Sequence, residues 1–203
     1  PQEMWGALDE LGFGRVTGSG FPGESAGILT GYEHWRSIGQ ATMAYGYGLS
    51  VTPLQLAQAY AVLGAGGIRR PISLRKVDAP PAGDSVVPEP VAREIVQMLE
   101  SVVSDTGTAR RAAIMGYRVS GKTGTAWKAS ETGGYSTKKY MAIFGGVVPA
   151  SNPRRAAVVI IDEPSDGAYY GGEVAAPVFA SVMSGALRLL AIPPDDLQRV
   201  PAT

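Results

Sequence analysis

The chain has 203 residues, 45% of them hydrophobic, enough to fill one sizeable core or a large part of one. Lysine plus arginine balances aspartate plus glutamate at 18 each, and basic clusters stop at pairs such as Arg69-Arg70, so no broad field for nucleic acid is evident. The absence of cysteine excludes disulfides, thiol catalysis and thiolate metal sites, and the single histidine, His34, has no second histidine with which to share a metal and reads as structural or solvated.

Met4, Trp5, Leu8 and Leu11 recur at helical spacing and the pattern stops at Gly12 and Gly14, which predicts a short amphipathic first helix. Arg15 to Gly31 reads as loop, and an irregular stretch of that length is expected to be a packed or functional excursion. "SVTPLQLAQAYAVLGAGG" carries the clearest helix, with Thr52 as N-cap, Pro53 at the first helical position, and Leu54, Ala57 and Ala61 on one face. "RRPISLRKVD" looks extended, a Pro/Gly loop covers Ala79 to Pro90, and a second helix is expected from about Val91 to Val103, with Val91, Ile95, Met98, Leu99 and Val102 on one side.

The texture then changes. "YRVSGKTGT", "YMAIFGGVV" and "AAVVIIDEP", separated by the turn-rich "SETGGYST" and "PASNPRR", suit successive antiparallel strands. A closing helix in "APVFASVMSGALRLL" carries Val178, Val182, Met183, Ala186 and Leu190, and the tail "PPDDLQRVPAT" is expected to be loose. The expected class is α+β, an antiparallel sheet with packed helices, with no repeat and no domain boundary within residues 1–203. No apolar stretch approaches bilayer length, and the chain begins at Pro1 without an initiator methionine or a signal peptide, so a removed upstream segment is expected.

The motif that calls for chemistry is Ser120 to Lys128, "SGKTGTAWK". On a strand, Lys122 and Gly124 would point to one side and Thr123 and Thr125 to the other. A glycine inside a strand often marks close approach by a ligand, and a bare backbone at Gly124 would let an extended peptide pair with it main chain to main chain. Lysine supplies positive charge and a proton route, and threonine hydroxyls can hold a carboxylate. Together they suit a peptide with a free carboxyl end. The same four residues also suit a strand end with a solvated lysine. The near copy "TGTA" at Thr106 to Ala109 follows a helix and Asp105 and reads as a structural exit into loop.

Lys122-Thr123-Gly124-Thr125 has the form Lys-Ser/Thr-Gly-Ser/Thr, the third signature of penicillin-binding proteins and serine β-lactamases. With "FPGESAG", "AYGYGLSVTPLQLAQAYAVLGAGG", "GYRVSGKTGTA" and "YYGGEVAAPVFASVMSGALRLL" in this order, the chain resembles, from about Pro1 to Asp196, the C-terminal half of the transpeptidase domain of class B penicillin-binding proteins. Its "YYGGEVAAPVF" resembles the division-specific members more than the elongation-specific ones.

That family also carries a Ser-x-x-Lys with the acylated serine and a Ser-x-Asn. Asn152 is the sole asparagine and is not preceded by Ser-x, so the second motif is absent. Ser73 to Lys76 and Ser136 to Lys139 spell the first, but a nucleophilic serine must open a helix so that its lysine lies one turn on. Ser73 follows Pro71 in an extended stretch and Ser136 follows Gly133-Gly134 in a turn, so both are read as decoys. The nucleophile is expected upstream, and this chain alone is expected to be inactive.

The resemblance implies a serine D,D-transpeptidase that cross-links peptidoglycan stem peptides ending in D-Ala-D-Ala during septal wall synthesis, is acylated by β-lactams, and uses no cofactor or metal. It implies the periplasmic face of the bacterial inner membrane, an upstream anchoring helix and division-complex membrane proteins as partners, with no nucleic acid. Lys122 and Thr125 become catalytic, Thr125 through its backbone N–H in the oxyanion hole. Thr123, Gly124 and Thr125 hold the substrate, and Tyr47, Tyr140, Tyr169 and Tyr170 fall where the family lines the cleft, although Tyr140 and Tyr170 also suit half-buried packing. Trp127 stands where some relatives carry a basic residue. Glu24 reads as a loop anchor. A non-catalytic penicillin-sensing or scaffold module, or a D,D-carboxypeptidase or β-lactamase, remain as alternative readings.

Overall fold

The computed structural model describes residues 1–130 and 133–197. The turn expected at Glu131 and Thr132, and the tail after Leu197, lie outside the described residues. The chain divides into two compact units, Pro1–Ala92 and a second beginning at Arg93.

In the first unit, α1 (Gln2–Glu10) ends where the sequence pattern stops. β1 (Ile28–Leu29) pairs antiparallel with β2 (Leu49–Ser50), and α2 (Ser37–Met43) lies between them in sequence. α3 (Pro53–Gly64) starts as expected: the Thr52 side chain accepts from the Gln55 N–H at 3.1 Å and the Gln55 side chain accepts from the Thr52 N–H at 2.7 Å. Breaking this reciprocal cap with Thr52→Ala is expected to lower stability by about 1 kcal/mol, and calorimetry of the intact protein checks it.

The buried side of α3 differs from the expected one. Gln55, Ala59 and Val62 point inward rather than Leu54, Ala57 and Ala61. A polar residue takes the central place because the chain wraps around it: Gln55, 1% exposed, donates to the carbonyls of Arg15 and Ala26 at 2.8 Å each. The long Arg15–Gly31 stretch is thus tied to α3 at two carbonyls, although none of its residues is buried. Glu24 fastens it further, accepting from the Thr17 N–H at 2.7 Å and the Ser19 hydroxyl at 3.0 Å, and the Thr17 hydrogen bond, above the smaller contributions, holds its carboxyl below the usual range. His34 is exposed on a short 3₁₀ turn, Tyr32–His34. β3 (Ile68–Arg69) and β4 (Asp84–Ser85) form a short antiparallel pair, the latter inside the expected Pro/Gly loop, while the rest of "RRPISLRKVD" is irregular.

α4 (Glu89–Glu100) continues as a 3₁₀ turn, Ser101–Val103. Its inward residues are Ala92, Val96 and Val103, whereas Val91 is 44% and Met98 58% exposed. The second unit is built on β5 (Ser120–Ala129), β6 (Tyr135–Val148) and β7 (Arg155–Asp162), antiparallel and adjacent in chain order. Ser136 thus lies in β6, not in a turn, with its hydroxyl accepting from the N–H groups of Lys138 and Lys139. Neither it nor Ser73, which bonds only around Arg75, opens a helix.

α5 (Gly171–Leu189) lies on this sheet through Ala175, Ala176, Phe179, Met183 and Leu187, with the Phe179 ring edge-on to Phe144 of β6 at 4.9 Å. Of the residues the sequence pattern picks out, Met183 is buried, whereas Val178, Val182 and Leu190 are 39%, 58% and 50% exposed. Close approach at the start of the helix selects small side chains, so the inward stripe opens with Gly171, Gly172, Ala175 and Ala176 and only then turns to Phe179, Met183 and Leu187. Pro177 inside α5 has no N–H for the Glu173 carbonyl one turn earlier, and Arg111 donates to that oxygen at 3.2 Å instead. The segment after α5 is fastened: Asp195 accepts from the N–H groups of Arg118 at 2.8 Å and Ser151 at 3.1 Å, and from the Ser151 hydroxyl.

Candidate active site

Among the described residues β5 is an edge strand, paired only with β6 from Ser120 opposite Val147 to Trp127 opposite Tyr140. Its two ends differ. Val119 and Ser120 are 4% and 0% exposed, and the Ser120 hydroxyl donates 2.7 Å to the Val96 carbonyl of α4. From Lys122 onward the strand opens: Lys122 and Thr125 are exposed and Trp127 is 50% exposed. The motif therefore occupies the accessible half of a free sheet edge, where unpaired backbone groups can receive another strand.

The alternation expected of the motif holds for the threonines. Thr125 Oγ1 accepts the Gly171 N–H, the first of α5, at 3.1 Å, which satisfies one orphan donor of the helix start. A hydroxyl that accepts in this way keeps its own proton to donate. Thr123 Oγ1 lies 3.2 Å from Thr108 Oγ1. Lys122 starts from the opposite face, but its long side chain curls back, and Nζ donates 2.9 Å to the Thr123 carbonyl and lies 3.4 Å from Thr123 Oγ1. Ammonium and hydroxyl are brought together although their Cβ atoms alternate. Among the described residues no carboxylate pairs with Lys122.

Two neighbours of the motif were not anticipated. Thr108 belongs to the "TGTA" copy that reads as a plain loop exit, yet its hydroxyl meets Thr123 and its carbonyl lies against Gly172. Gly171 and Gly172 let α5 start directly on the strands: a Cβ on Gly171 would fall 2.5 Å from the Gly124 carbonyl oxygen. The likeness between the two Thr-Gly-Thr segments, and the paired glycines after Tyr169-Tyr170, are the signals that could have found them.

The glycines of β5 separate into two kinds. At Gly121 a Cβ would stand 2.6 Å from the Gly145 carbonyl oxygen, so the protein's own packing excludes a side chain there. At Gly124 a Cβ would meet Ile143 Cβ at 3.4 Å, an ordinary contact. Nothing inside the described chain requires Gly124 to be bare.

Tyr140, Tyr169 and Tyr170 come together beside this edge. Tyr140 and Tyr169 stack at 4.2 Å and 16°, and Tyr169 and Tyr170 lie 4.4 Å apart. Tyr169 donates to the Tyr170 hydroxyl at 3.2 Å, and that hydrogen bond is the largest cause of a phenol pKa pushed upward at Tyr169. Tyr47 belongs to the first unit, half-buried, with Tyr45 edge-on to it at 5.8 Å.

At the downstream end of β5, Lys128 bonds Asp162 at 2.8 Å and Glu163 at 2.7 Å, and Lys139 reaches Glu163 at 3.4 Å. The bond to Asp162, then that to Glu163, raises the Lys128 ammonium pKa, and Lys128 in turn lowers that of Glu163. Among the described residues no cluster of three metal-ligating acids or histidines exists, and no helix is long and apolar enough to cross a membrane.

Residues 1–184 match the family described as penicillin binding protein transpeptidase domain. The chain is 50% identical over 187 residues to peptidoglycan D,D-transpeptidase FtsI of Escherichia coli (strain K12), covering 92% of this chain and 32% of that protein. It is 45% identical over 193 residues to the probable peptidoglycan D,D-transpeptidase PenA of Neisseria gonorrhoeae, covering 95% of this chain and 33% of PenA. The chain thus spans about a third of the length of the curated relatives it matches. The apo structure of the TP domain of Burkholderia pseudomallei penicillin-binding protein 3 superposes with a TM-score of 0.89 at 46% identity, over 96% of this chain and 59% of that one.

Proposed function

The chain belongs to the penicillin-binding protein transpeptidase family, and we propose that it is the C-terminal portion of one catalytic domain that cross-links peptidoglycan stem peptides on a serine supplied upstream. The observation that carries this reading is the exposed edge of β5, with Lys122, Thr123 and Thr125 converging on it.

A stem peptide ending in D-Ala-D-Ala lies along that edge with its carboxylate at the lysine and the two hydroxyls. Thr125 donates the proton left over from its bond with Gly171, and Lys122 supplies the charge. The buried Ser120 end blocks the strand in one direction, so the rest of the peptide runs toward Trp127, antiparallel to β5. Gly124, bare without need from its own packing, lets the peptide backbone approach.

The serine oxygen adds to the penultimate D-alanyl carbonyl, and the oxyanion takes hydrogen bonds from the Thr125 N–H and the serine's own N–H. Collapse of the adduct breaks the peptide bond and releases D-alanine, whose nitrogen takes up a proton. An amine of a second stem then displaces the serine, which regains its proton. Lys122 keeps the proton network of the missing motifs connected. A β-lactam uses the same contacts, with Tyr140, Tyr169 and Tyr170 sheltering the acyl-enzyme. The resemblance of the sequence segments extends the proposal to a septal role, membrane anchoring upstream, a periplasmic location and division-complex partners.

The test is the full-length protein with a D-Ala-D-Ala donor and an amine acceptor. Covalent labelling by a fluorescent penicillin, release of D-alanine and a cross-linked product are expected. No labelling supports a binding module, and D-alanine release with water as the sole acceptor supports a carboxypeptidase.

A further inference from the structure

The charged cluster at the end of β5 has no part in the reaction as set out above. We propose that Lys128 and Glu163 are positioning residues for that reaction: reaching across β6, their ion pair pins the free half of β5 and fixes the chain reversal that lays Tyr169 on Tyr140. The proposal rests on the β5 edge being the acyl-donor site.

Three observations meet here. The β5–β6 register breaks between Trp127 and Ala129, so the ladder does not hold the strand at Lys128. In its place the Lys128 side chain, 28% exposed, spans to Asp162 and Glu163 at the end of β7, the far strand of the sheet. Glu163 itself has a left-handed backbone, φ 51°, which a residue with a Cβ seldom adopts. It is held there by its N–H to the Tyr140 carbonyl at 2.9 Å and by its carboxylate between Lys128 and Lys139. Tyr140 is also the ring on which Tyr169 stacks.

The three strands are thus tied at one row: Trp127 opposite Tyr140, Tyr140 bonded to Glu163, and Glu163 bonded to the residue after Trp127. Isolated exposed ion pairs contribute little, but two lysines on two adjacent carboxylates form a network that constrains backbone at both its ends. Such a clamp acts on the fit of the acyl donor's outer part and leaves the acylating atoms alone. A solvated surface cluster would act on neither.

The experiment uses the full-length protein and two penicillins, one with a bulky aromatic side chain and one with a minimal side chain, separating non-covalent affinity from the limiting acylation rate. Lys128→Met and Glu163→Gln should weaken binding of the bulky penicillin roughly 5-fold while its limiting rate stays within about twofold. The minimal penicillin should change less than about twofold in both constants, and Lys128→Arg should restore binding. Should Glu163→Gln fold poorly, Glu163→Gly keeps the left-handed conformation without the carboxylate and should show the same loss. Equal effects on both penicillins, no effect on either, or no rescue by arginine would overturn the proposal. If instead the edge of β5 is not the donor site, Lys122→Ala will acylate like the wild type with both reagents, a distinct result.

Discussion

Replacing Lys122 with alanine in the full-length protein is expected to reduce the second-order rate of penicillin acylation on the order of 100-fold, with no more than about 0.5 kcal/mol lost in stability. The two halves of this expectation come from the same geometry. Lys122 is exposed, and its bonds run to the carbonyl and hydroxyl of the next residue, so its removal opens no cavity and strands no buried partner. What disappears is the positive charge at the accessible sheet edge proposed to take the carboxylate. Lys122→Arg keeps the charge but replaces a compact ammonium by a planar fork that cannot curl onto Thr123 in the same way, so only part of the rate should return. Stopped-flow acylation with calorimetry on the same samples reads both quantities, and unchanged acylation in the alanine variant would remove Lys122 from the mechanism.

The largest effect on stability is expected at Gly171. A methyl group there would fall 2.5 Å from the Gly124 carbonyl oxygen and also against that of Ile143, and both are strand backbone that cannot rotate away. The start of α5 must lift from the sheet, which is expected to cost about 3 kcal/mol and lower the melting temperature by about 10 °C. Lifting also lengthens the bond from the Gly171 N–H to Thr125 Oγ1, so acylation should fall with stability. Gly185 in the same helix is the contrasting case. Apart from its chain neighbours and the adjacent helix backbone, no atom lies within 4 Å of a Cβ placed on it, and Gly185→Ala should stabilise by about 0.5 kcal/mol. A Gly171→Ala protein as stable as the wild type would show that α5 does not seat on the strands through this residue.

Local features of the chain were legible in its residues. Thr52 and Pro53 announce α3, alternation and turns announce the three strands, and the Lys-Thr-Gly-Thr tetrapeptide together with its surrounding segments points to the family and to the strand edge proposed as the site. The faces of the helices were not legible. Periodicity weighs side chains by hydrophobicity, so it favoured Val178 and Val182, whereas seating on a sheet selected Ala175 and Ala176 on the next row. Gln55 escaped because a polar residue becomes a core residue only when loops distant in sequence bring it carbonyls. Thr108, the tyrosine stack and the Lys128–Glu163 clamp are likewise pairings across 15 to 35 residues, and spacing along a chain does not encode them.

Pro177 leaves one broader mark on the protein. Since the Glu173 oxygen depends on Arg111, and Thr108 touches Gly172 and Thr123, the stretch from Thr108 to Arg111 is fastened to the opening turn of α5 at two separate points. Deuterium uptake at the amides of residues 171–174 and 108–112 should therefore rise and fall as a single kinetic unit, and a small molecule wedged behind that stretch would unsettle Thr123 without ever touching the exposed edge of β5.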